Sequence, residues 1–331
     1  AASGRRPYVR SSGDTTPFGA DITPDAAGRT LRINGGWYAS SDAGGALGEG
    51  VAADVVIGNA PGAGAAFDFE LIDIRHATLD PGGVRGDGVP IPALRILVRA
   101  QVERLVIRRS ITGPIVVVRD DPSEVARIEE LVVCQSIVDA SNTTGPAIDN
   151  PYGAVFLEGS TVFGDVNAEV LHASDSIVAG IVSVVNNQAG CFRFSAAQAG
   201  PGARLPPRYR SLLTEISPAF FNARRFGDPG YAQLSIVAPR EISQGAENGS
   251  EMGVFGHLLT PIRLASVRAK VDEFGPVGML AQYLFEGDEV AGDVILEALS
   301  PGLPEPPEVD PPDPGEVIPE PPAPPNAKCG A

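Results

Sequence analysis

The feature of this sequence that most constrains its fold is a serine that recurs in four strand-like segments. The segments LVIRRSITGPI, LVVCQSIVDAS, VFLEGSTVFGDV and LHASDSIVAGIV align with Ser110, Ser136, Ser160 and Ser176 in one column. Two residues drawn from Ile, Thr and Val follow each serine, and IDIRHATLDPGG fits the same alignment with Ala77 in the serine column. The steps between column members are uneven. A fixed pattern with variable insertions is the signature of a solenoid whose loops differ in length.

The segments around this column indicate strands rather than helices. Short β-branched runs dominate residues 30 to 195, and Gly, Pro, Asp and Asn clusters separate them. An antiparallel sandwich is the alternative, but it predicts tight Asp-Gly hairpins, and Asp87-Gly88 lies in a longer loop. We therefore predict an all-β fold, a right-handed parallel β-helix whose coils stack about 4.8 Å apart. The serines are expected at a corner, where their hydroxyls satisfy backbone groups of the turn.

The pattern changes after the repeats. Leu264, Val267, Val271 and Phe274 have the spacing of an amphipathic helix, which Gly275-Pro276 ends. Such a helix is a natural cover for the last coil of a solenoid. The predicted organisation is a lead-in segment (1–24), the parallel β-helix (25–215), a loop closure (216–257), a small helical cap (258–300) and a Pro-rich acidic linker or tail (301–331).

The loop closure contains the two least repetitive stretches of the ordered chain, RFGDPGYAQLS and GAENGSEMG. Their carboxylates, glycines, serines and tyrosine are typical of active-site loops. Asp228 begins a Pro-Gly turn, and Tyr231 can anchor that turn on the last coil. Glu247 and Glu251 are candidates either for binding a cation or for capping the helix that follows. We predict a structural closure or a docking surface, with these four residues as its candidates.

The sequence offers little support for an enzyme. His76, His172 and His257 lie far apart, and no HExxH, GxSxG, P-loop or Rossmann motif occurs. We therefore predict no catalytic residue, no metal and no cofactor. Because many parallel β-helices cleave polysaccharides with stacked carboxylates, Glu158, Asp165 and Asp175 form the fallback glycan site. No single repeat places an arginine or histidine beside a pair of carboxylates, which argues against cleavage.

Charge and hydropathy restrict the partners. The net charge of −16 argues against binding nucleic acid, which requires a positive face. No apolar run approaches the roughly 20 residues that span a bilayer, so membrane insertion is not expected. The expected partners are other protein subunits of an assembly or further copies of this chain, and a glycan is the alternative.

Several of these strings also resemble a known family. RRPYVR, LRINGGWYAS, QAGCFRFS and the pair RFGDPGYAQLS and GAENGSEMG resemble a family of uncharacterised bacterial right-handed parallel β-helix proteins. The resemblance covers roughly residues 5 to 285 and implies no catalytic residues. Members of the family often accompany phage-tail-like or contractile-injection gene clusters.

The functional expectation follows from the fold and from this resemblance together. It is a non-enzymatic structural or interaction protein, a component or appendage of a phage-tail-like assembly. This role favours a particle-associated or extracellular location over that of a free cytosolic enzyme. The alternatives are a polysaccharide-binding or polysaccharide-cleaving β-helix and a secreted adhesin.

Overall fold

Parallel strands make up most of the regular structure. A computed structural model of the chain describes residues 8–10, 29–39, 54–58, 68–84, 90–119, 125–209 and 211–275. These residues all belong to one compact unit, Ala1–Leu284. The second unit, Phe285–Ala331, lies outside the described residues, and so do the predicted lead-in segment apart from residues 8–10 and the Pro-rich tail.

Short strands separated by turns follow one another along most of the chain. The strands are Tyr8–Arg10 (β1), Thr30–Asn34 (β2), Trp37–Ala39 (β3), Asp54–Gly58 (β4), Asp68–Arg75 (β5), Thr78–Leu79 (β6), Gly83–Val84 (β7), Pro90–Ile91 (β8), Arg95–Arg99 (β9), Gln101–Arg108 (β10), Ile111–Thr112 (β11), Ile115–Val117 (β12), Arg127–Cys134 (β13), Ile137–Asp139 (β14), Ile148–Glu158 (β15), Thr161–Phe163 (β16), Val166–Ser174 (β17), Ile177–Val178 (β18), Val182–Val184 (β19), Cys191–Arg193 (β20), Ala196–Gln198 (β21), Arg208–Tyr209 (β22) and Leu212–Thr214 (β23). The α-helices are Arg240–Ser243 (α1) and Thr260–Phe274 (α2), and single 3-10 turns occur at Pro218–Phe220 and Gly256–Leu258.

The strands form two large sheets. Sheet A has nine strands in the order β1-β3-β6-β11-β14-β16-β18-β21-β23. Sheet B has twelve, with the path β2-β5-β10-β13-β15-β12-β9-β4 and a branch in which β17 pairs β15, β19 and β20, and β20 pairs β22. Every pairing within these two sheets is parallel, and the short β7-β8 pair is antiparallel. The all-β, parallel-strand fold predicted from the sequence is therefore what the described residues adopt.

The register stacks equivalent residues of successive repeats. Leu105 of β10 pairs with Leu131 of β13, which pairs with Val155 of β15, which in turn pairs with Leu171 of β17. All four side chains have 0% exposure and belong to the main apolar core. Burying an aliphatic side chain of this size contributes roughly 1.5–3 kcal/mol, so such columns account for much of the cohesion between repeats.

Residues 216–257, which we call the strap, do not close the end of the stack as predicted. The strap packs along the outer face of sheet A, where a second apolar cluster joins strand residues to strap residues: Ile137, Phe163, Ile177 and Ala196 from the sheet, and Ile216, Phe221, Ala232, Ile242, Met252 and Val254 from the strap. Its Phe226 ring reaches Trp37 of β3, with centroids 5.9 Å apart. Val138, Val162 and Val178 of sheet A point into the main core, whereas the four sheet residues of the second cluster face the other way. The outer face is therefore apolar at those positions and requires a cover.

The helix α2 also differs from the predicted cap. It ends at Phe274, directly before Gly275, as the sequence predicts, and begins at Thr260, two residues later than Leu258. None of its residues is buried, and Val267 and Phe274 are 48% and 78% exposed. The apolar stripe therefore does not seal the last repeat, and the rest of the predicted cap, residues 276–300, lies outside the described residues.

Candidate functional site

The serine column forms a ladder of buried hydrogen bonds. Each serine hydroxyl donates to the backbone carbonyl two residues earlier and accepts from a backbone N–H of the preceding repeat. The accepted bonds run from Ala77 N to Ser110 Oγ (3.1 Å), Ser110 N to Ser136 Oγ (3.1 Å), Ser136 N to Ser160 Oγ (3.3 Å), Ser160 N to Ser176 Oγ (3.2 Å) and Ser176 N to Ser195 Oγ (3.1 Å). All five serines are at most 3% exposed, so the ladder is structural.

Ser195 is the member of this ladder that the sequence alignment missed. Ala196 and Ala197 follow it, instead of the Ile, Thr and Val residues that mark the other repeats. A usable signal was its distance of 19 residues from Ser176, which lies within the range of the other steps.

A second column stands at the corner immediately before the serines. These residues have left-handed backbone conformations with φ between 46° and 52°: His76, Arg109, Gln135, Gly159, Asp175 and Phe194. This conformation costs roughly 1–2 kcal/mol for a residue with a Cβ, and only Gly159 avoids that cost. The column turns the chain from sheet B into sheet A, and it brings Asp175 to the corner next to the strap.

The first polar anchor of the strap is Tyr231. Its hydroxyl donates a 2.6 Å hydrogen bond to the carboxylate of Asp139, which is fully buried and also accepts from Ser141 N at 2.8 Å. Burial, followed by the charge of Asp139 and this hydrogen bond, raises the pKa of Tyr231 well above its usual value. The phenol therefore remains a protonated donor. Asp228 instead acts within its own turn, where its carboxylate accepts from Arg225 Nε at 2.9 Å.

The second anchor is Asp175, which holds the GAENGSEMG stretch. Its carboxylate accepts from Glu247 N and its carbonyl from Gly253 N, both at 2.7 Å. The side chain of Glu247 faces Arg193, with an N–O distance of 3.7 Å. Glu251 is 6% exposed and accepts from Thr260 Oγ1 at 3.0 Å, at the first residue of α2. Burial raises the pKa of Glu251, and the Thr260 hydrogen bond partly offsets this effect.

This arrangement does not assemble a cation site. Glu247 is exposed and turned towards an arginine, whereas Glu251 is buried against α2. Within the described ranges, no group of three or more His, Cys, Asp or Glu side chains is placed to hold a metal ion.

The three carboxylates of the fallback glycan site do not come together as one group. Glu158 ends β15 and pairs with Ser174, so Asp175 is its neighbour on the next repeat. Asp165 lies at the opposite end of β17, whose nine residues span roughly 30 Å. Its carboxylate accepts from Ile181 N at 2.7 Å. The trio is therefore corrected to a pair, because the strand that joins Asp165 to Asp175 separates them.

Two arginines complete a cluster that the sequence did not reveal. The register places Arg108, Cys134, Glu158, Ser174 and Arg193 in one outward-facing row of sheet B. Arg193 Nε donates to Ser174 Oγ at 2.9 Å. No single repeat supplies both charges, and the arginines come from repeats on either side of Glu158. We call Arg108, Glu158, Asp175 and Arg193 the carboxylate–arginine cluster.

The electrostatics of this cluster favour protonated carboxyl groups. Burial raises the pKa of Glu158, the charge of Asp175 raises it further, and the two arginines oppose both effects. Burial likewise raises the pKa of Asp175; the hydrogen bond from Glu247 N lowers it, the charge of Glu247 raises it, and Arg193 lowers it. The cluster thus combines carboxyl groups of raised pKa with guanidinium donors.

An aromatic stack lies beside the cluster on the same face. The rings of Phe156 and His172 are nearly parallel, at 6°, with centroids 4.8 Å apart. Each residue is two positions before a member of the outward row, so both face away from the core. A flat stack next to carboxyl and guanidinium groups can contact the ring and the hydroxyls of a sugar.

The fold and this site define the class of the protein: an all-β protein of parallel sheets with a strap along one face. No family model, curated protein or solved structure matches the chain. No helix in the described part of the chain is long and apolar enough to cross a bilayer.

Proposed function

We propose that the chain is a right-handed parallel β-helix and acts as a non-enzymatic structural and interaction component of a phage-tail-like assembly. The observation that carries this proposal concerns RFGDPGYAQLS and GAENGSEMG, the two non-repeating stretches of the strap. Their polar groups are engaged inside the molecule, with Tyr231 bonded to Asp139 and the Glu247 amide to Asp175. Residues that are typical of active-site loops thus hold the strap against the stacked strands.

The pairing pattern of the strands supports the proposed coil geometry. Between β5 and β21 the chain passes repeatedly from sheet B to sheet A, and each strand pairs with its counterpart in the next repeat. Connections between parallel strands of one sheet are right-handed in about 98% of cases, because of the twist of the strands. Repeated connections of this kind in one direction support the proposal of a right-handed β-helix.

The helix α2 supplies a surface for docking a subunit. Arg263, Val267, Lys270 and Phe274 follow one another at steps of three or four residues along one side of the helix. The two apolar members are 48% and 78% exposed. An apolar stripe interleaved with cations suits a subunit that presents apolar and acidic groups.

The test is purification of native particles followed by mass spectrometry. We expect a sheath, tube or baseplate protein to co-purify with the chain. Replacing both Val267 and Phe274 by Glu should release the chain from the particle. The matched control is Ile262→Glu, which changes a 49% exposed residue on another side of α2 and should leave the association intact. A monodisperse free monomer in the native lysate contradicts the proposal.

The carboxylate–arginine cluster supports a second candidate, a polysaccharide-binding or polysaccharide-cleaving β-helix. The specific observation is the Phe156–His172 stack beside Glu158 and Asp175. Glu158→Gln and Asp175→Asn should abolish release of soluble sugars from a polysaccharide, whereas Asp165→Asn, at the other end of β17, should not. Binding without product favours a glycan-binding protein or adhesin, and the absence of both binding and product rejects this candidate.

A further inference from the structure

A pocket distinct from the carboxylate–arginine cluster opens on the outer face of β2 and β5. Its volume is about 330 Å³, and it is lined by Arg32, Ile33, Asn34, Asp73 and Arg75. This volume lies at the lower end of the range for small-molecule sites. The pocket's residues take no part in the contacts of the strap described above.

The register explains why four polar side chains meet there. Along β2 and β5, Ile33 and Ile74 are buried at 6% and 1% exposure, so the residues on either side of each point outward. The outward residues pair across the two strands, Arg32 with Asp73 and Asn34 with Arg75.

Asp73 fixes the direction of one guanidinium group. Arg75 Nε lies 2.8 Å from the Asp73 carboxylate, and Asp73 is only 5% exposed. The Arg75 side chain is nevertheless 42% exposed, so the rest of its guanidinium group reaches the surface. A planar guanidinium group held in this way is pre-organised to bind an oxyanion through two parallel hydrogen bonds.

The pocket carries an excess of positive charge. On the side away from Asn34, Arg75 pairs in register with Arg108 of β10. Neighbouring strands lie about 4.8 Å apart, and like charges directly opposite each other are unfavourable. Two guanidinium groups, those of Arg32 and Arg75, line the pocket against the single carboxylate of Asp73. An anionic ligand would offset this repulsion.

We propose that this pocket binds an acidic sugar residue, a ring that bears one carboxylate and several hydroxyl groups. The guanidinium groups suit the ligand's carboxylate, whereas Asp73 and Asn34 suit its hydroxyls. A compact polyanion such as phosphate fits less well, because Asp73 repels it. This proposal does not depend on the assembly function. The pocket adjoins the carboxylate–arginine cluster, because Arg108 of that cluster pairs in register with Arg75, but none of the residues that line the pocket belongs to the cluster.

The test is calorimetric titration of the full chain at fixed ionic strength. Galacturonate is the probe, galactose is the ring without the carboxylate, and acetate is the carboxylate without the ring. We expect galacturonate to bind at least about tenfold more tightly than either, since charged hydrogen bonds contribute enough for such a factor. Failure of galacturonate to saturate, or binding of acetate or inorganic phosphate as tight as that of galacturonate, overturns the proposal.

Variants test whether the pocket is the site. Arg32→Ala should weaken galacturonate binding about tenfold, and Arg75→Lys, which keeps a cation beside Asp73 but removes the planar fork, should weaken it as well. The matched control is Arg104→Ala on β10, because Arg104 lies on the same sheet, donates to Glu130 at 2.9 Å and does not line the pocket. If Arg104→Ala weakens galacturonate binding as much as Arg32→Ala does, the proposal is overturned. Circular dichroism checks that each variant is folded.

Discussion

The hydroxyl of Tyr231 and the carboxylate of Asp139 are separated by 92 residues in the chain and by 2.6 Å in the structure. The contact fixes the strap to β14 near the middle of sheet A. Because Asp139 has 0% exposure, its carboxylate depends on donors within the protein. The stability of the strap on the sheet can therefore be measured through this pair.

Tyr231→Phe removes the donor and leaves the ring in place. We expect a loss of about 1.5–3 kcal/mol in the free energy of unfolding, measured by urea denaturation, because a buried carboxylate loses a hydrogen bond. Tyr152→Phe is the control, since Tyr152 is 41% exposed and its ring contact with Arg119 is preserved. Equal losses in the two variants contradict the assignment of Tyr231 as an anchor.

The serine ladder predicts a cost for Ser136→Ala. The substitution leaves the buried N–H of Ser110 without the acceptor that it now has at 3.1 Å. An unsatisfied buried donor costs about 1–3 kcal/mol, which urea denaturation can measure. Ser183→Ala, on a half-buried position of β19, should cost less. Any binding activity should survive Ser136→Ala, and loss of binding with unchanged stability argues against a purely structural serine.

The corner column predicts different effects for two replacements of Gly159. Its φ is 50°, and the nearest atom that a Cβ would meet is 3.9 Å away, so the penalty is set by the backbone. Gly159→Ala should cost about 1 kcal/mol, and Gly159→Asn should cost less, because asparagine adopts this conformation more readily. Thermal unfolding of both variants tests this ranking, and a larger loss for Asn contradicts it.

The carboxylate–arginine cluster predicts a pH dependence. Burial, followed by the charge of Asp175, raises the pKa of Glu158, so the folded state holds the proton more tightly than the unfolded chain. The resulting stabilisation is complete below the ordinary carboxyl pKa of about 4 and is lost as the pH rises through the folded value. Between pH 7 and pH 5 the unmodified chain should therefore gain more stability than Glu158→Gln does.

Chemical denaturation at the two pH values measures this difference. Glu241→Gln is the control, because Glu241 is exposed on α1. It should behave like the unmodified chain. If Glu158→Gln gains as much stability on acidification as the unmodified chain, burial does not raise the pKa of Glu158 in the folded state.

The sequence predicted the parts of the structure that repeat. Equivalent positions stack on one another, so the alignment of four serines was enough to predict the parallel pairing and the serine corner. Ser195 escaped because alanines follow it. The Gly275-Pro276 stop of α2 was also local, and it predicted the end of that helix.

The path of the strap could not be predicted in this way. Its hydrogen bonds join residues far apart in the chain: the Glu247 amide and Asp175 are 72 positions apart, and the Val254 amide and Thr161 are 93 positions apart. A non-repeating segment has no periodicity from which to deduce its partners. The one local signal was in sheet A, where Ile137 and Ile177 face outward and require a cover. The carboxylate–arginine cluster was missed for a similar reason, because its charges come from four different repeats.

The position of the strap on sheet A can be tested most directly by photo-crosslinking. p-Benzoylphenylalanine placed at Phe226 should, on irradiation, form an adduct with the peptide that contains Trp37, whose ring centroid is 5.9 Å from that of Phe226. The same group placed at Arg240, an exposed residue of α1, should not reach Trp37. An adduct of residue 226 with Trp37, located by mass spectrometry, is the predicted result. Adducts confined to Leu212–Thr214, at the end of sheet A, would contradict a strap that runs along the sheet.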